Sequence, residues 1–147
     1  MQRDKDWWDK WFIGLAVYVS TASKDPSTKC GAVIATADHR IVSVGFNGLP
    51  RGVLDSESRL NNREIKYKMI VHAEANAILF ADGRAAACTL YTWPILPCNE
   101  CAKLIIQTDI TRVVSGQLHE ETRARWGSSI EVGTDMLDEA GVEVELI

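Results

Sequence analysis

The sequence predicts an α/β protein, a three-layer α/β/α domain built around a central mixed five-stranded sheet. Two apolar, β-branched runs near the start, "CGAVIATA" and "RIVSVGF", are joined by "DHR" and predict an antiparallel hairpin. The second half alternates strand-like and helix-like segments, a pattern typical of strands connected by crossover helices. A length of 147 residues suits one core, so we expect a single domain over residues 1–147.

The first predicted element is an amphipathic helix over about residues 6–21. Apolar residues recur there at helical spacing, namely Trp8, Trp11, Phe12, Leu15, Ala16 and Val19. Polar residues around Pro26 separate this helix from the hairpin. After the hairpin, residues 47–66 are polar and turn-rich, which predicts a long loop of the kind that carries function.

The remaining elements follow one another closely. "VHAEANAILFAD" predicts a helix that ends at Gly83, and "CTLYTW" predicts a strand. Pro97 introduces a second helix, "CNECAKLIIQT", which precedes the short buried strand "TRVVSG". Residues 120–140 are mostly helical, with a break expected near Gly127 or Gly133, and "GVEVELI" closes as a strand.

Composition narrows the possible partners. The formal net charge is -4, which argues against a polyanion such as nucleic acid as the main partner. No apolar run of about 18 residues is present, so we expect no membrane span. The start, "MQRDKDWWDKW", lacks the apolar core of a signal peptide, and four irregularly spaced cysteines do not resemble a disulfide framework. We therefore expect a cytoplasmic protein with reduced thiols.

The pair Cys98 and Cys101 in "PCNEC" is the most informative feature, and three uses compete for it. A redox pair would normally follow the first strand of a βαβ unit, whereas this pair comes late in the chain. A structural zinc site would need two further ligands, often as a second close pair. The other candidates are isolated in the sequence: Cys30, Cys88, His39 and His119.

A catalytic metal site needs only one more protein ligand, and His72 is suited to the role. His72 and the Cys98/Cys101 pair stand at the starts of two predicted helices, where free N–H groups and the helix dipole favour thiolates. One nitrogen and two sulfurs leave the fourth position of zinc to water, whose pKa zinc lowers from about 15.7 to roughly 7. Glu74, two residues after His72, can then move protons without binding the metal.

These residues also carry a resemblance. His72-Ala73-Glu74 followed by "PCNEC" has the H-x-E…P-C-x-x-C form of the zinc nucleobase deaminases. "SKDPSTKCGAVI", "VGFNGLPRGV", "KYKMIVHAEANAIL" and "PCNECAKLIIQTDITRVV" resemble the deoxycytidylate (dCMP) deaminase family of the cytidine/deoxycytidylate deaminase superfamily. The likeness covers most of residues 20–115 and implies a cytidine-deaminase-like fold.

The resemblance implies zinc-dependent hydrolysis of dCMP to dUMP and ammonia, which feeds thymidylate synthesis. It assigns zinc (Zn2+) to His72, Cys98 and Cys101, and proton transfer to Glu74. It also implies that Asn47 hydrogen-bonds the deoxyribose and that the backbone at Ala73 helps to hold the pyrimidine. Members of the family are usually homo-oligomers, and many respond to dCTP and dTTP as effectors.

Two stretches depart from the family pattern. "YTWPILPC" is one residue longer than the usual loop, which adds Trp93-Pro94 at the border of the pyrimidine pocket. "SGQLHEE" lacks the aromatic and basic residues that often hold the nucleotide phosphate at that place. The sequence offers three other cations for the phosphate: Lys24, Lys29 and Arg51.

Several residues also have simpler interpretations. Asn47-Gly48 is a common turn signal as well as a candidate substrate contact. Cys30 and Cys88 lie in predicted strands and are expected to be small core residues. His39 and His119 are expected to be exposed, and we expect the cluster of Trp7, Trp8 and Trp11 to lie in the core or at an oligomer contact.

Three other functions compete with dCMP deamination. The chain could deaminate another small substrate, such as cytidine, deoxycytidine, guanine or a 5-modified cytosine nucleotide. Editing of tRNA or single-stranded DNA is disfavoured by the acidic balance and the lack of Arg/Lys clusters. A non-catalytic zinc module is disfavoured because a structural site has no need of Glu74.

Overall fold

The computed structural model describes residues 2–116 and 120–147, apart from the side chains of residues 121–123. Each helix in this part of the chain is too short or too polar to cross a membrane. The elements are, in chain order, α1 (Lys5–Ser20), β1 (Gly31–Ala35), β2 (Ile41–Phe46), α2 (Glu57–Asn61), α3 (Arg63–Met69), α4 (Ala73–Phe80), β3 (Thr89–Trp93), α5 (Asn99–Gln107), β4 (Arg112–Ser115), α6 (Glu120–Glu139) and β5 (Glu143–Leu146).

The five strands form one mixed sheet in the order β2-β1-β3-β4-β5. Strand β1 runs antiparallel to β2 and β3, whereas β3, β4 and β5 are parallel to one another. The β-branched runs predicted the hairpin of β1 and β2, and the alternation of strands and helices predicted the parallel half of the sheet. The prediction of a mixed five-stranded sheet is confirmed.

Helices cover both faces of the sheet, which gives the three predicted layers. Side chains of β1 alternate between the faces, so Ala32 and Ile34 pack toward α4, α5 and α6, whereas Val33 and Ala35 pack toward α1. The layer toward α4 is the larger core, and it contains buried residues of three helices and three strands. The layer toward α1 is smaller and rich in aromatic rings.

Two details of the sequence prediction are wrong. Residues 47–66 are not one long loop, because α2 lies within them and α3 begins there. Leu60 is buried, and the Asn62 side chain caps α3 by accepting a hydrogen bond from the Ile65 amide at 3.2 Å. Helix α6 is unbroken over its 20 residues, so neither Gly127 nor Gly133 ends it. A glycine in a helix costs only about 1 kcal/mol, which packing can offset.

Helix α4 is held close to β2 by a glycine and a hydroxyl. A Cβ atom on Gly45 would lie 2.4 Å from the Ala77 amide nitrogen and 2.5 Å from the Ala73 carbonyl, so only glycine fits this approach. Two residues earlier, the Ser43 hydroxyl donates to the Ala77 carbonyl at 2.6 Å. The start of α4, which carries His72 and Glu74, is therefore fixed against the sheet edge.

The aromatic cluster of α1 packs on the sheet and against His39. Trp8 packs against the smaller core, whereas the Trp11 ring is partly exposed. His39 is exposed in the β1–β2 turn, as predicted, and its ring stacks on Trp8 with centroids 4.3 Å apart. His119 lies outside the described residues.

Candidate active site

The structure brings His72, Cys98 and Cys101 together at the starts of two helices. His72 is the N-cap residue of α4, and Cys98 is the N-cap residue of α5. Neither side chain caps its own helix, so the imidazole and the thiol remain available to a ligand. Cys101 lies one turn into α5, three residues after Cys98, and therefore on the same side of that helix.

The three donor atoms fit a tetrahedral zinc ion. The Nδ1 atom of His72 lies 3.4 Å from Cys98 Sγ and 3.3 Å from Cys101 Sγ. Zinc bonds of about 2.3 Å to sulfur and about 2.0 Å to nitrogen at tetrahedral angles separate such ligands by about 3.5 Å. All three donor atoms lie within 4.8 Å of one another. These residues can therefore hold a metal ion, with a fourth position left for another ligand.

The protonation of this cluster also suits a cation. The hydrogen bond from Cys101 and the contact with His72 lower the pKa of Cys98, although burial opposes the change. The pKa of Cys101 is raised, because its proton is held by Cys98 and because it is buried beside Glu74. The hydrogen bond with Cys98 raises the pKa of His72. One thiolate is already favoured, and a divalent cation would displace the remaining protons.

Glu74 lies beside the three donors but is oriented differently. The carboxylate is buried, with 5% of the residue exposed. Its Oε1 atom accepts a hydrogen bond from the Thr92 hydroxyl at 3.1 Å, and its Oε2 atom lies 3.8 Å from Cys101 Sγ. Burial raises the pKa of Glu74, whereas His72 and the hydrogen bonds to the carboxylate act in the opposite direction. A buried carboxylate with a raised pKa is suited to taking up and releasing a proton.

Helix α6 supports the loop that carries Cys98. A Cβ atom on Gly133 would lie 3.0 Å from the Cys98 carbonyl carbon and oxygen, so the two backbones are in close contact. The Ser129 hydroxyl donates to Asn99 Oδ1 at 2.8 Å. These contacts explain why α6 keeps a glycine at 133 and yet continues as a helix.

A pocket leads to Glu74 and to the ligands His72 and Cys98. Its walls are mainly apolar and aromatic, and they are formed by Tyr67, Ile70, Ile95, Leu96, Trp126 and Ile130. Ile95 and Leu96 belong to the "YTWPILPC" segment, so that segment borders the pocket as expected. Trp93 and Pro94 are not among the lining residues, and Trp93 packs toward α1 instead. The Tyr67 and Trp126 rings lie with centroids 5.1 Å apart and join α3 to α6. An apolar cavity of this kind suits a flat ring.

Asn47 and Ala73 both line this pocket. The Asn47 side chain accepts from the Cys30 amide at 2.8 Å and donates to the Thr28 carbonyl at 2.9 Å. Asn47 thus fixes the segment before β1, while one lone pair of its amide oxygen stays available. The Asn47-Gly48 pair is not a hairpin turn, because Gly48 forms an antiparallel bridge with Val71.

The two cysteines expected in the core, Cys30 and Cys88, differ in environment. Cys88 is buried in the larger core, as predicted. Cys30 is only partly buried and lines the pocket, so its description as a core residue is incomplete. Burial and the nearby carboxylates of Glu74 and Asp25 raise the pKa of the Cys30 thiol, which keeps it protonated and unreactive.

The charged groups of the pocket are not those that the sequence suggested. Its lining includes the cations Lys66 and Arg125, but not Lys24, Lys29 or Arg51. Lys24 pairs with Asp55 at 2.7 Å on the surface, and Lys29 donates to the Ser23 carbonyl.

Sequence reasoning missed Lys66, Arg125, Trp126 and Thr92 as pocket or site residues. Lys66 lies in the stretch "KYKMIVHAEANAIL", where its position six residues before His72 was the available signal. Arg125 and Trp126 lie in α6, far from any motif, and no local pattern marks them. Thr92 could have been noticed only from the alternation of side chains along β3.

The fold and the site define a class of protein: a three-layer α/β/α metalloenzyme whose one-histidine, two-cysteine site has a buried carboxylate beside it. Residues 6–117 match the family described as the cytidine and deoxycytidylate deaminase zinc-binding region. The chain belongs to this zinc-binding deaminase family, and its cofactor is zinc.

Similar proteins agree with this assignment. An uncharacterized deaminase in the luxG 3' region of Aliivibrio fischeri is 50% identical, over 93% of this chain and 91% of that protein. A deoxycytidylate deaminase of Mus musculus is 39% identical, over 80% of this chain and 71% of that protein. The dCMP deaminase of cyanophage S-TIM5, solved with dCMP and dUMP, has the same fold with a TM-score of 0.74 at 24% identity, covering 99% of this chain and 100% of that one.

Proposed function

We propose that this chain catalyses the hydrolysis of dCMP to dUMP and ammonia, which would feed thymidylate synthesis. The observation that carries the proposal is the position of Glu74: a buried carboxylate at the end of an apolar pocket, beside three zinc-type donors that it does not join. A structural zinc site has no need of such a group. Relatives described as deoxycytidylate deaminases support the choice of substrate.

The proposed roles follow from the geometry. His72, Cys98 and Cys101 hold zinc, which supplies Lewis acidity and activates water for attack on an electron-poor carbon. The Oε2 atom of Glu74 faces these ligands, so the carboxylate can accept a proton from the attacking water. The same carboxyl group can pass that proton to the ring nitrogen. It can then take up the remaining proton of the added hydroxyl as the carbonyl forms and deliver it to the leaving amine, which departs as ammonia.

The pocket provides groups to orient a nucleotide. Ala73 is the first residue of α4, and the early N–H groups of a helix have no partner within it. We therefore assign the backbone at Ala73 to the pyrimidine. The free lone pair of Asn47 Oδ1 can accept a hydrogen bond from a deoxyribose hydroxyl. The Tyr67 and Trp126 rings close the apolar wall beside the ring-binding space.

We assign the phosphate contact to Arg125 rather than to Lys24, Lys29 or Arg51. Arg125 lines the pocket from α6 and is exposed, so a phosphate can reach its guanidinium from solvent. A guanidinium can contact two phosphate oxygens at once. The other cation of the pocket, Lys66, is buried and pairs with Asp25 at 3.0 Å, which neutralises its charge.

An ammonia-release assay tests both the reaction and the phosphate contact. With zinc-loaded protein we expect turnover of dCMP to exceed that of deoxycytidine in kcat/KM. Arg125→Met should reduce kcat/KM for dCMP by about tenfold to a hundredfold, since a charge-assisted contact contributes about 1.5–3 kcal/mol, and leave deoxycytidine unchanged. Lys24→Met is the matched control and should alter neither substrate. Equal kcat/KM for both substrates in the wild type would exclude a phosphate contact.

Another small substrate is the second candidate, and the lengthened loop favours testing it. Ile95 and Leu96 of this loop line the pocket, so its shape can differ from that of relatives. The same assay therefore includes CMP, cytidine, cytosine, guanine and 5-substituted dCMP. Turnover of guanine alone would replace the cytosine assignment while leaving the zinc and Glu74 roles in place.

Four further properties belong to this proposal. The four free cysteines, two of them zinc donors, suit a reducing compartment, so we propose a cytoplasmic location. We also propose one catalytic domain, built on the single five-stranded sheet of the described residues. We also propose a homo-oligomer that responds to dCTP or dTTP. Sedimentation and dCMP saturation curves with each nucleotide test this: a monomer with unchanged curves would contradict it.

A further inference from the structure

Strand β3 places a hydroxyl group against the catalytic carboxylate. Consecutive side chains of a strand point to opposite faces, so Tyr91 and Trp93 pack toward α1 and Thr92 points toward α4. Thr92 is 1% exposed and lies at the centre of the sheet, paired with Ala32 and Ser115. A buried hydroxyl needs a hydrogen-bond partner, and this position fixes which groups Thr92 can reach.

The Thr92 hydroxyl has two acceptors within reach. It lies 3.1 Å from Glu74 Oε1 and 3.3 Å from the Ile95 carbonyl oxygen. Both acceptors belong to the active site, because Glu74 and Ile95 line the same pocket. The hydroxyl has a single proton to donate, and Glu74 is both the nearer acceptor and the charged one, so it is the favoured partner.

The contact makes the two oxygen atoms of Glu74 unequal. The terminal torsion of a glutamate side chain is broad and has little preference of its own, so its surroundings decide how the carboxylate is turned. Thr92 holds Oε1, and this leaves Oε2 facing the zinc ligands, 3.8 Å from Cys101 Sγ. Without the Thr92 hydroxyl, the Glu74 carboxylate would lose the hydrogen bond from the sheet that holds this orientation.

We infer that Thr92 is a positioning residue for the deamination step, which holds Oε1 of Glu74 so that Oε2 meets the reacting water and amine. This inference rests on the role proposed for Glu74. Thr92 does not touch the substrate ring or the metal in this account, and its effect passes through Glu74. It should therefore alter the chemical step and leave substrate binding and zinc content unchanged.

Thr92→Val tests the inference, because valine keeps the shape of threonine and removes the hydroxyl. Since a misplacement of about 1 Å can cost about a hundredfold in rate, we expect kcat to fall by about tenfold to a hundredfold. KM should stay within about twofold and zinc at about one per chain. Thr92→Ser, which restores the hydroxyl, should recover most of the rate. Thr92→Ala replaces the valine variant if the latter does not fold.

A double variant and a crystal structure separate this inference from the proposed function. In a Glu74→Gln background, Thr92→Val should cause little further loss, because the group that it positions is gone. Crystals of zinc-loaded Thr92→Val should show the Glu74 carboxylate turned from its wild-type orientation, whether or not any substrate is turned over. An unmoved carboxylate, an unchanged kcat, or equal losses in the valine and serine variants would overturn the inference. A wild type that deaminates nothing would instead overturn the proposed function.

Discussion

Two buried carboxylates lie on opposite faces of strand β3, and neighbouring residues of that strand contact them. On the α1 face, Tyr91 donates to Asp9 at 3.0 Å, and on the α4 face, Thr92 donates to Glu74 at 3.1 Å. Both acids are at least 95% buried. They differ in the donors that contact their oxygens: charged side chains contact Asp9, whereas a hydroxyl and a thiol contact Glu74.

Asp9 has donors for both of its oxygens. Arg112 donates to Oδ1 at 2.8 Å and to Oδ2 at 2.6 Å, and Lys5 adds a bond to Oδ2 at 3.0 Å. Burial alone would raise the pKa of Asp9, but the hydrogen bonds from Arg112, Lys5 and Tyr91 outweigh it and lower the pKa. Asp9 therefore stays ionised and joins α1 to β4, with no capacity left for chemistry.

Glu74 accepts from the Thr92 hydroxyl on Oε1 and from the Cys101 thiol, a weak donor, on Oε2, and burial raises its pKa. Its second oxygen faces the zinc donors rather than a cation of its own. Burial alone therefore does not mark a catalytic acid. A buried carboxylate that only neutral donors contact, next to a metal site, is the better candidate, because its raised pKa suits it to exchange a proton.

Removal of a zinc donor should have the largest effect on activity. That effect should be confined to the site on the α4 face of the sheet. Cys98→Ala leaves only one nitrogen and one sulfur, so we expect zinc and ammonia release to be lost together. Cys88→Ala is the matched control, since this thiol is buried in the larger core and lies outside the site. Metal analysis of both variants checks the prediction. Full zinc in Cys98→Ala would contradict the assigned ligands.

On the α1 face, replacement of Arg112 should lower the free energy of unfolding and leave the rate of deamination unchanged. Arg112→Met leaves Asp9 buried without its main partner, which typically costs about 3–5 kcal/mol. We expect the rate per zinc-loaded, folded molecule to stay within about twofold of wild type. Lys103→Met, which breaks the exposed pair with Glu100, should cost at most about 1 kcal/mol. Urea unfolding measures both costs, and a loss of rate without a loss of stability in Arg112→Met would break the comparison.

The Asp9–Arg112 ion pair predicts that the free energy of unfolding depends on pH in the acid range. The folded pKa of Asp9 is below its unfolded value of about 3.9, so its contribution is complete above that value. That contribution should be lost as pH falls below about 4 and passes through the folded pKa. Urea unfolding from about pH 6 to about pH 3 should therefore show a steeper decline in wild type than in Arg112→Met. Parallel curves would show that Asp9 does not titrate in this way.

The smallest predicted effect comes from Tyr91, the neighbour of Thr92. Tyr91→Phe removes one of several donors to Asp9, so we expect a loss of about 1 kcal/mol in unfolding free energy. Its kcat should equal that of wild type, in contrast to Thr92→Val. Parallel assays of these two variants test whether adjacent residues of β3 serve different faces. A similar fall in kcat for both would point to a general disturbance of the sheet.

The sequence predicted the α4 face better than the α1 face. His72, Glu74, Cys98 and Cys101 fall within two short motifs at helix starts, and the resemblance to the H-x-E…P-C-x-x-C signature groups them. Asp9 and Arg112 are 103 residues apart and carry no motif, so only the folded sheet brings them together. The hairpin and the parallel strands were predicted from β-branched runs, because that signal is local as well.

Long-range packing explains what the sequence did not predict. The two short helices in residues 47–66 depend on the burial of Leu60 and on a single capping residue, Asn62, within an otherwise polar stretch. The pocket cation Arg125 comes from α6, whose close approach to Cys98 leaves little room for a Cβ atom at Gly133. In the sequence Gly133 indicated a break in the helix, whereas in the fold it allows α6 to pack closely against the backbone at Cys98.

The most direct test of this account is the Glu74→Gln variant, with zinc content and single-turnover ammonia release measured on the same sample. Glutamine keeps the size of the side chain and its hydrogen bonds, but it cannot take up or release the proton. We expect about one zinc per chain, an unchanged fold, and a rate lower by about a thousandfold or more, at or above the upper part of the usual range for general acid–base catalysis. Loss of zinc would make Glu74 a ligand, and retention of more than about a tenth of the rate would exclude it as the proton carrier.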